Sequence, residues 1–96
     1  MKRHYLVCYD IAEPRRLHRV CRVLKGYGER WQYSIFFCSL KPIDRVRLES
    51  DIKAEMNLGD DRAIIIDLGT DETAAREAIT VIGQPLPPMQ TSFLVI

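Results

Sequence analysis

Two kinds of periodicity alternate along this chain, and that alternation limits it to helices layered on a sheet. Residues 5–11, YLVCYDI, are apolar or aromatic except for Asp10, as expected of a strand that ends in a core. Pro14 then occupies a favoured first helical position. Leu17, Val20, Cys21 and Leu24 follow at i, i+3, i+4 and i+7, the apolar stripe of an amphipathic helix. Gly26-Tyr27-Gly28 stops it.

In residues 30–40, RWQYSIFFCSL, Trp31, Tyr33, Ile35 and Phe37 alternate with Gln32, Ser34, Phe36 and Cys38. The pattern predicts one long strand with a dry face and a partly polar face. Pro42 opens a second helix over 43–56, with the weaker stripe Leu48, Ile52 and Met56. Gly59-Asp60-Asp61 is a turn, AIIIDL (63–68) a buried strand, 71–78 a short helix, and ITVIG (79–83) a short strand. QPLPP (84–88) is excluded from a central strand, because proline has no ladder donor. SFLVI (92–96) reads as a closing strand with a free edge.

The order is compatible with an α+β ferredoxin-like sandwich, two helices on one face of an antiparallel sheet, with strand order left open. At 96 residues the chain suits one domain, 1–83, followed by a C-terminal tail, 84–96, whose edge strand is expected at a dimer or partner interface. No apolar run approaches the roughly 20 residues of a membrane span. The opening MKRHYLVCYD is too soon interrupted for a secretory signal, so a cytoplasmic protein is expected. Cys8, Cys21 and Cys38 are odd in number and lack metal-ligand spacing, so they read as small buried hydrophobes.

The net charge of +1 conceals a division. Residues 1–47 carry eleven Lys and Arg against four acids, net +7, and residues 48–96 carry three against nine, net −6. Folding could mix the halves. On the first helix, however, Arg15, His18, Arg19 and Arg22 lie opposite the apolar stripe, with Arg16 on the flank. A face so one-sided in sign favours an anionic partner such as nucleic acid.

Asp10 poses the sharper question, because an ionised carboxylate in an apolar run is costly unless it meets water, donors or a cation. The plain reading is that the strand ends there and Asp10 serves the turn. YLVCYDI, RRLHRVCRVLKGYGERWQYSIFFCSL and the I-x-x-x-G of ITVIG nevertheless resemble the CRISPR-associated protein 2 family, the small homodimeric proteins of CRISPR spacer acquisition. The resemblance runs from about residue 5 to residue 83 and implies the ferredoxin-like fold.

It also implies that Asp10 is the metal-binding and catalytic carboxylate, offered by both subunits across a two-fold axis to Mg2+ or Mn2+. Tyr9, Arg19, Arg30, Ser34 and Phe36 fall on positions the family associates with nucleic-acid handling. Members are described as metal-dependent nucleases on RNA or double-stranded DNA. They are also described as subunits that bridge dimers of the integrase, CRISPR-associated protein 1. The tail QPLPPMQTSFLVI matches no strong family motif. Magnesium prefers oxygen ligands and often takes only one or two carboxylates, which suits a pair of Asp10 side chains. Neither His4 nor His18 is placed as a general base.

Three readings follow: a metal-dependent endonuclease using Asp10, a DNA-binding adaptor in an integration complex, and a ferredoxin-like RNA-binding module. The last lacks the stacking aromatics that a central strand would need, since AIIIDL has none.

Overall fold

Four strands assemble in the order β2-β3-β1-β4, with every neighbouring pair antiparallel. The computed structural model of the protein describes residues 1–86. Its elements are β1 Arg3–Asp10, α1 Pro14–Lys25, β2 Gly28–Gln32, β3 Ile35–Leu40, α2 Pro42–Glu55, β4 Arg62–Asp67 and α3 Glu72–Glu77. The strand-helix-strand-strand-helix-strand succession with β1 and β3 central is the ferredoxin-like sandwich. The expected strand SFLVI and the rest of residues 87–96 lie outside the described residues.

Helix α1 begins where the sequence signals it. Pro14 enters the first turn, and Glu13 caps it by accepting the Arg16 N–H at 2.9 Å. Its stripe buries Val20, Cys21 and Leu24, and α2 adds Leu48 and Ile52. The odd-numbered residues of β1 (Tyr5, Val7 and Tyr9) meet both helices, joined by Phe36, Cys38 and Leu40 from β3. Even-numbered positions of β1 face the other way, as the period of two requires. There Leu6 joins a smaller cluster of Trp31, Phe37 and Ala75. Trp31 and Phe37 stack at 4.8 Å between centroids, and the Arg76 guanidinium of α3 covers Phe37 at 4.6 Å.

Four expectations change. The long strand 30–40 is a hairpin, β2 and β3, with Tyr33 and Ser34 at its turn and a register shift between Arg30 and Gln32. Its partly polar side proves to be the core side, where Phe36 and Cys38 are fully buried. AIIIDL is an edge strand whose Ala63 and Ile65 pack inward while Ile64 and Ile66 are 50% and 42% exposed. ITVIG forms no strand: Ile79 packs on the smaller cluster, and Val81 and Ile82 are exposed. Among the described residues no further strand stands beside it to supply a ladder.

Gly28 has a role other than stopping the helix. A side chain there would place its Cβ 2.4 Å from the Phe37 carbonyl oxygen and 2.5 Å from the Cys38 sulfur. The hairpin closes because this position is bare.

Candidate metal and nucleic-acid site

Asp10 is the last residue of β1 and lies exposed. Opposite it on β4 stands Arg62, and the next pairs back along the strand are Tyr9 with Ala63 and Cys8 with Ile64. Directly paired residues of antiparallel strands share a face. Asp10 therefore belongs to the sheet face turned away from α1 and α2, together with Cys8, Ile64 and Ile66. Its carboxylate takes part in none of the ion pairs among the described residues.

The loop after Asp10 is fixed from a distance by Asp61, whose side chain is buried. Its carboxylate accepts the Ala12 N–H at 2.9 Å, the Asn57 N–H at 2.8 Å, and the Arg16 guanidinium at 2.9 Å and 3.2 Å. The Arg16 hydrogen bond above all, with those backbone donors, holds the Asp61 carboxyl well below the usual carboxylate range against the opposing effect of desolvation. Asp61 was legible in the sequence only as part of a turn. No local spacing points to a partner on α1.

This lock alters the expected basic face. Arg16 is committed to Asp61, and Arg19 pairs with Glu55 at 3.2 Å while remaining half exposed. Arg15 and Arg22 join none of the ion pairs among the described residues, and both line a shallow groove on α1 with Pro14, His18 and Arg19. The acid-free stripe expected from the helical wheel is thus compensated at Arg16 and Arg19 by acids brought from α2 and the loop before β4.

The aromatic positions also sort differently. Phe36 is fully buried against Tyr9, itself 5% exposed, so neither ring offers a surface to a nucleic acid in this chain. Burial pushes the Tyr9 phenol far above its usual range, and its hydroxyl donates to the Tyr33 carbonyl at 3.0 Å. Arg30 donates from Nη2 to the same carbonyl at 2.9 Å. The Ser34 carbonyl accepts the Tyr9 N–H at 3.1 Å, which seats the hairpin turn beside the Asp10 end of β1.

The exposed Asp10 carboxylate is a hard-oxygen donor, which suits half of a magnesium site completed by waters and a second carboxylate. No group of three His, Cys, Asp or Glu side chains close enough to hold a metal occurs among the described residues. His4 is buried, its Nδ1 2.7 Å from the Ser39 hydroxyl, and belongs to the opposite end of β1 from Asp10. No described helix is long and apolar enough to cross a membrane.

The family described as CRISPR associated protein Cas2 matches residues 2–76. A CRISPR-associated endoribonuclease Cas2 from Geobacter sulfurreducens is 30% identical over 96 residues, spanning 100% of both chains. The crystal structure of a hypothetical protein from Thermus thermophilus superposes with a TM-score of 0.77 and 31% identity, covering 91% of this chain and 96% of the other. A chain of a partial Cas6-RT-Cas1–Cas2 complex does so with a TM-score of 0.61 and 27% identity, covering 82% of this chain and 90% of that one.

Proposed function

The chain belongs to the CRISPR associated protein Cas2 family, and on that footing we propose that it is an endonuclease. It would cleave phosphodiester bonds in RNA or double-stranded DNA as a homodimer whose two Asp10 carboxylates share one Mg2+ or Mn2+. The observation that carries the proposal is the exposed Asp10, outside every ion pair of the described residues, on the sheet face that Ile64 and Ile66 leave half open. A two-fold contact of that face with its axis beside the Asp10 end would bring the same carboxylate from each copy together. The relative named an endoribonuclease, matched over its whole length, supports the choice of reaction.

The chain's own residues supply the rest. Asp61 and Arg16 hold the loop behind Asp10, and Arg15 and Arg22 offer cations for phosphates. When bound, a divalent ion would lower the pKa of a water and neutralise charge on the phosphoryl oxygens. Asp10→Asn removes one anionic donor per subunit. Cleavage of labelled RNA and duplex DNA, with and without chelator, should fall to background in this variant. Undiminished cleavage by the rigorously purified variant refutes the assignment.

A second reading has its own support. Among the described residues no group of three His, Cys, Asp or Glu side chains could hold a metal, and His4 lies at the other end of β1 from Asp10. On this reading the protein is a DNA-binding adaptor that joins the integrase CRISPR-associated protein 1, as the neighbour from a Cas1–Cas2 complex suggests. Spacer acquisition in cells discriminates the two. Acquisition that survives Asp10→Asn favours the adaptor.

A further inference from the structure

We propose that Tyr33, with Arg30 beneath it, is a stacking platform for one unpaired nucleobase, so that this end of the molecule selects single-stranded over duplex nucleic acid. Tyr33 stands at the hairpin turn with 70% of its surface exposed. The Arg30 guanidinium lies over its ring, 5.1 Å from the centroid. The backbone beneath the ring is fixed from three directions. Arg30 donates to the Gln32 carbonyl at 3.3 Å and the Tyr33 carbonyl at 2.9 Å, and the buried Tyr9 hydroxyl donates to the Tyr33 carbonyl at 3.0 Å.

An exposed aromatic side chain is ordinary by itself; what marks Tyr33 is the guanidinium held against its ring by hydrogen bonds to the local backbone. The cation beneath it suits a π-rich partner with a phosphate attached. A base can use this surface only if it is unstacked from its neighbours, which single strands allow and duplexes resist. The turn that carries Tyr33 adjoins the Asp10 end of β1 through the Tyr9–Ser34 backbone hydrogen bond. Tyr9, which cannot reach a base itself, acts here as a buried support through its hydrogen bond to the Tyr33 carbonyl.

The inference deepens the nucleic-acid reading of Asp10, but its test reads binding without cleavage. The full chain carrying Asp10→Asn, alone and with Tyr33→Ala, Tyr33→Phe or Tyr33→Trp, is titrated into a fluorescein-labelled single-stranded RNA 12-mer and into a duplex DNA of equal length. Tyr33→Ala should weaken single-strand binding about 10-fold. Tyr33→Phe and Tyr33→Trp should retain it, and duplex affinity should stay within about twofold in every variant. Equal losses on both ligands, no loss on either, or no single-strand binding by the Asp10→Asn parent overturns the proposal. So does a change of sedimentation coefficient in Tyr33→Ala, which would put the ring between two copies of the chain. Should the stacking pattern hold while wild-type protein cleaves nothing, the nuclease reading fails and this one stands.

Discussion

Arg16 and Asp61 meet at 2.9 Å across the seam between α1 and the loop that enters β4, the carboxylate buried and the guanidinium largely so. The pair closes the space behind the Asp10 loop. Because the folded Asp61 carboxyl is held below its usual range, its contribution is complete above the unfolded carboxylate value near 4. It drains away as the pH falls below that value towards the folded one. Thermal unfolding between pH 7 and pH 3 should show the wild type losing melting temperature faster than Asp61→Asn. At pH 7 Asp61→Ala should melt well below Asp67→Ala, whose arginine partner is exposed. Parallel pH profiles for wild type and Asp61→Asn would refute this account.

Arg15 and Arg22 should report on phosphate binding and Arg16 on folding. Reversing Arg15 and Arg22 to Glu should weaken duplex binding without regard to sequence. Each phosphate that goes unneutralised should lower the slope of log affinity against log salt by about 1. Arg16→Glu should instead depress the melting temperature, because it sets two carboxylates against each other at a buried position. Arg19, half exposed and paired with Glu55, should give an intermediate salt slope.

Gly28→Ala should destabilise the chain by about 2–3 kcal/mol, the upper part of the range for overpacking. Phe37 and Cys38, which the new methyl would strike, are backbone and core neighbours with no room to yield. Chemical denaturation compares it with Gly59→Ala, where the nearest atom is 3.4 Å away. A loss under about 0.5 kcal/mol would mean that β2 shifts without cost.

Ile64→Glu tests the shared face. The side chain is half exposed, so the single chain should keep its fold by circular dichroism. A homodimer closed through this face should fall apart in sedimentation and lose magnesium-dependent cleavage, although Asp10 is untouched. A dimer that persists at micromolar concentration would place the interface elsewhere.

Much of the fold was legible because periodicity was clean. The stripe of α1, Pro14 in its first turn, and the apolar run of β1 each sit where local physics puts them. The hairpin was not legible, because Trp31, Tyr33, Ile35 and Phe37 alternate without a break and no Gly, Pro or Asn marks the turn. Trp31 and Phe37 share one cluster across the reversal, and Tyr33 escapes it by standing in the turn between the strands. The half-open β4 was misjudged because three isoleucines in a row look the same at an edge and in a centre. Asp10 stood out as a candidate from its apolar setting and from family resemblance. The compensation of Arg16 could not, because Asp61 is 45 residues away and only the closed fold brings it near.

The hydrogen bond from the Ala12 N–H to Asp61 reaches across 49 residues of sequence. On the ribosome that separation becomes a delay of about 2–10 s between the two partners at ordinary rates of synthesis. Until Asp61 emerges, the loop behind Asp10 has no anchor and β1 lacks its β4 neighbour, since both belong to the same late stretch of chain. A nascent chain stalled before residue 61 is expected to be cut readily by protease at residues 11–13, and the finished chain to resist. The loop behind Asp10 thus gains its anchor only after the chain has been made as far as Asp61.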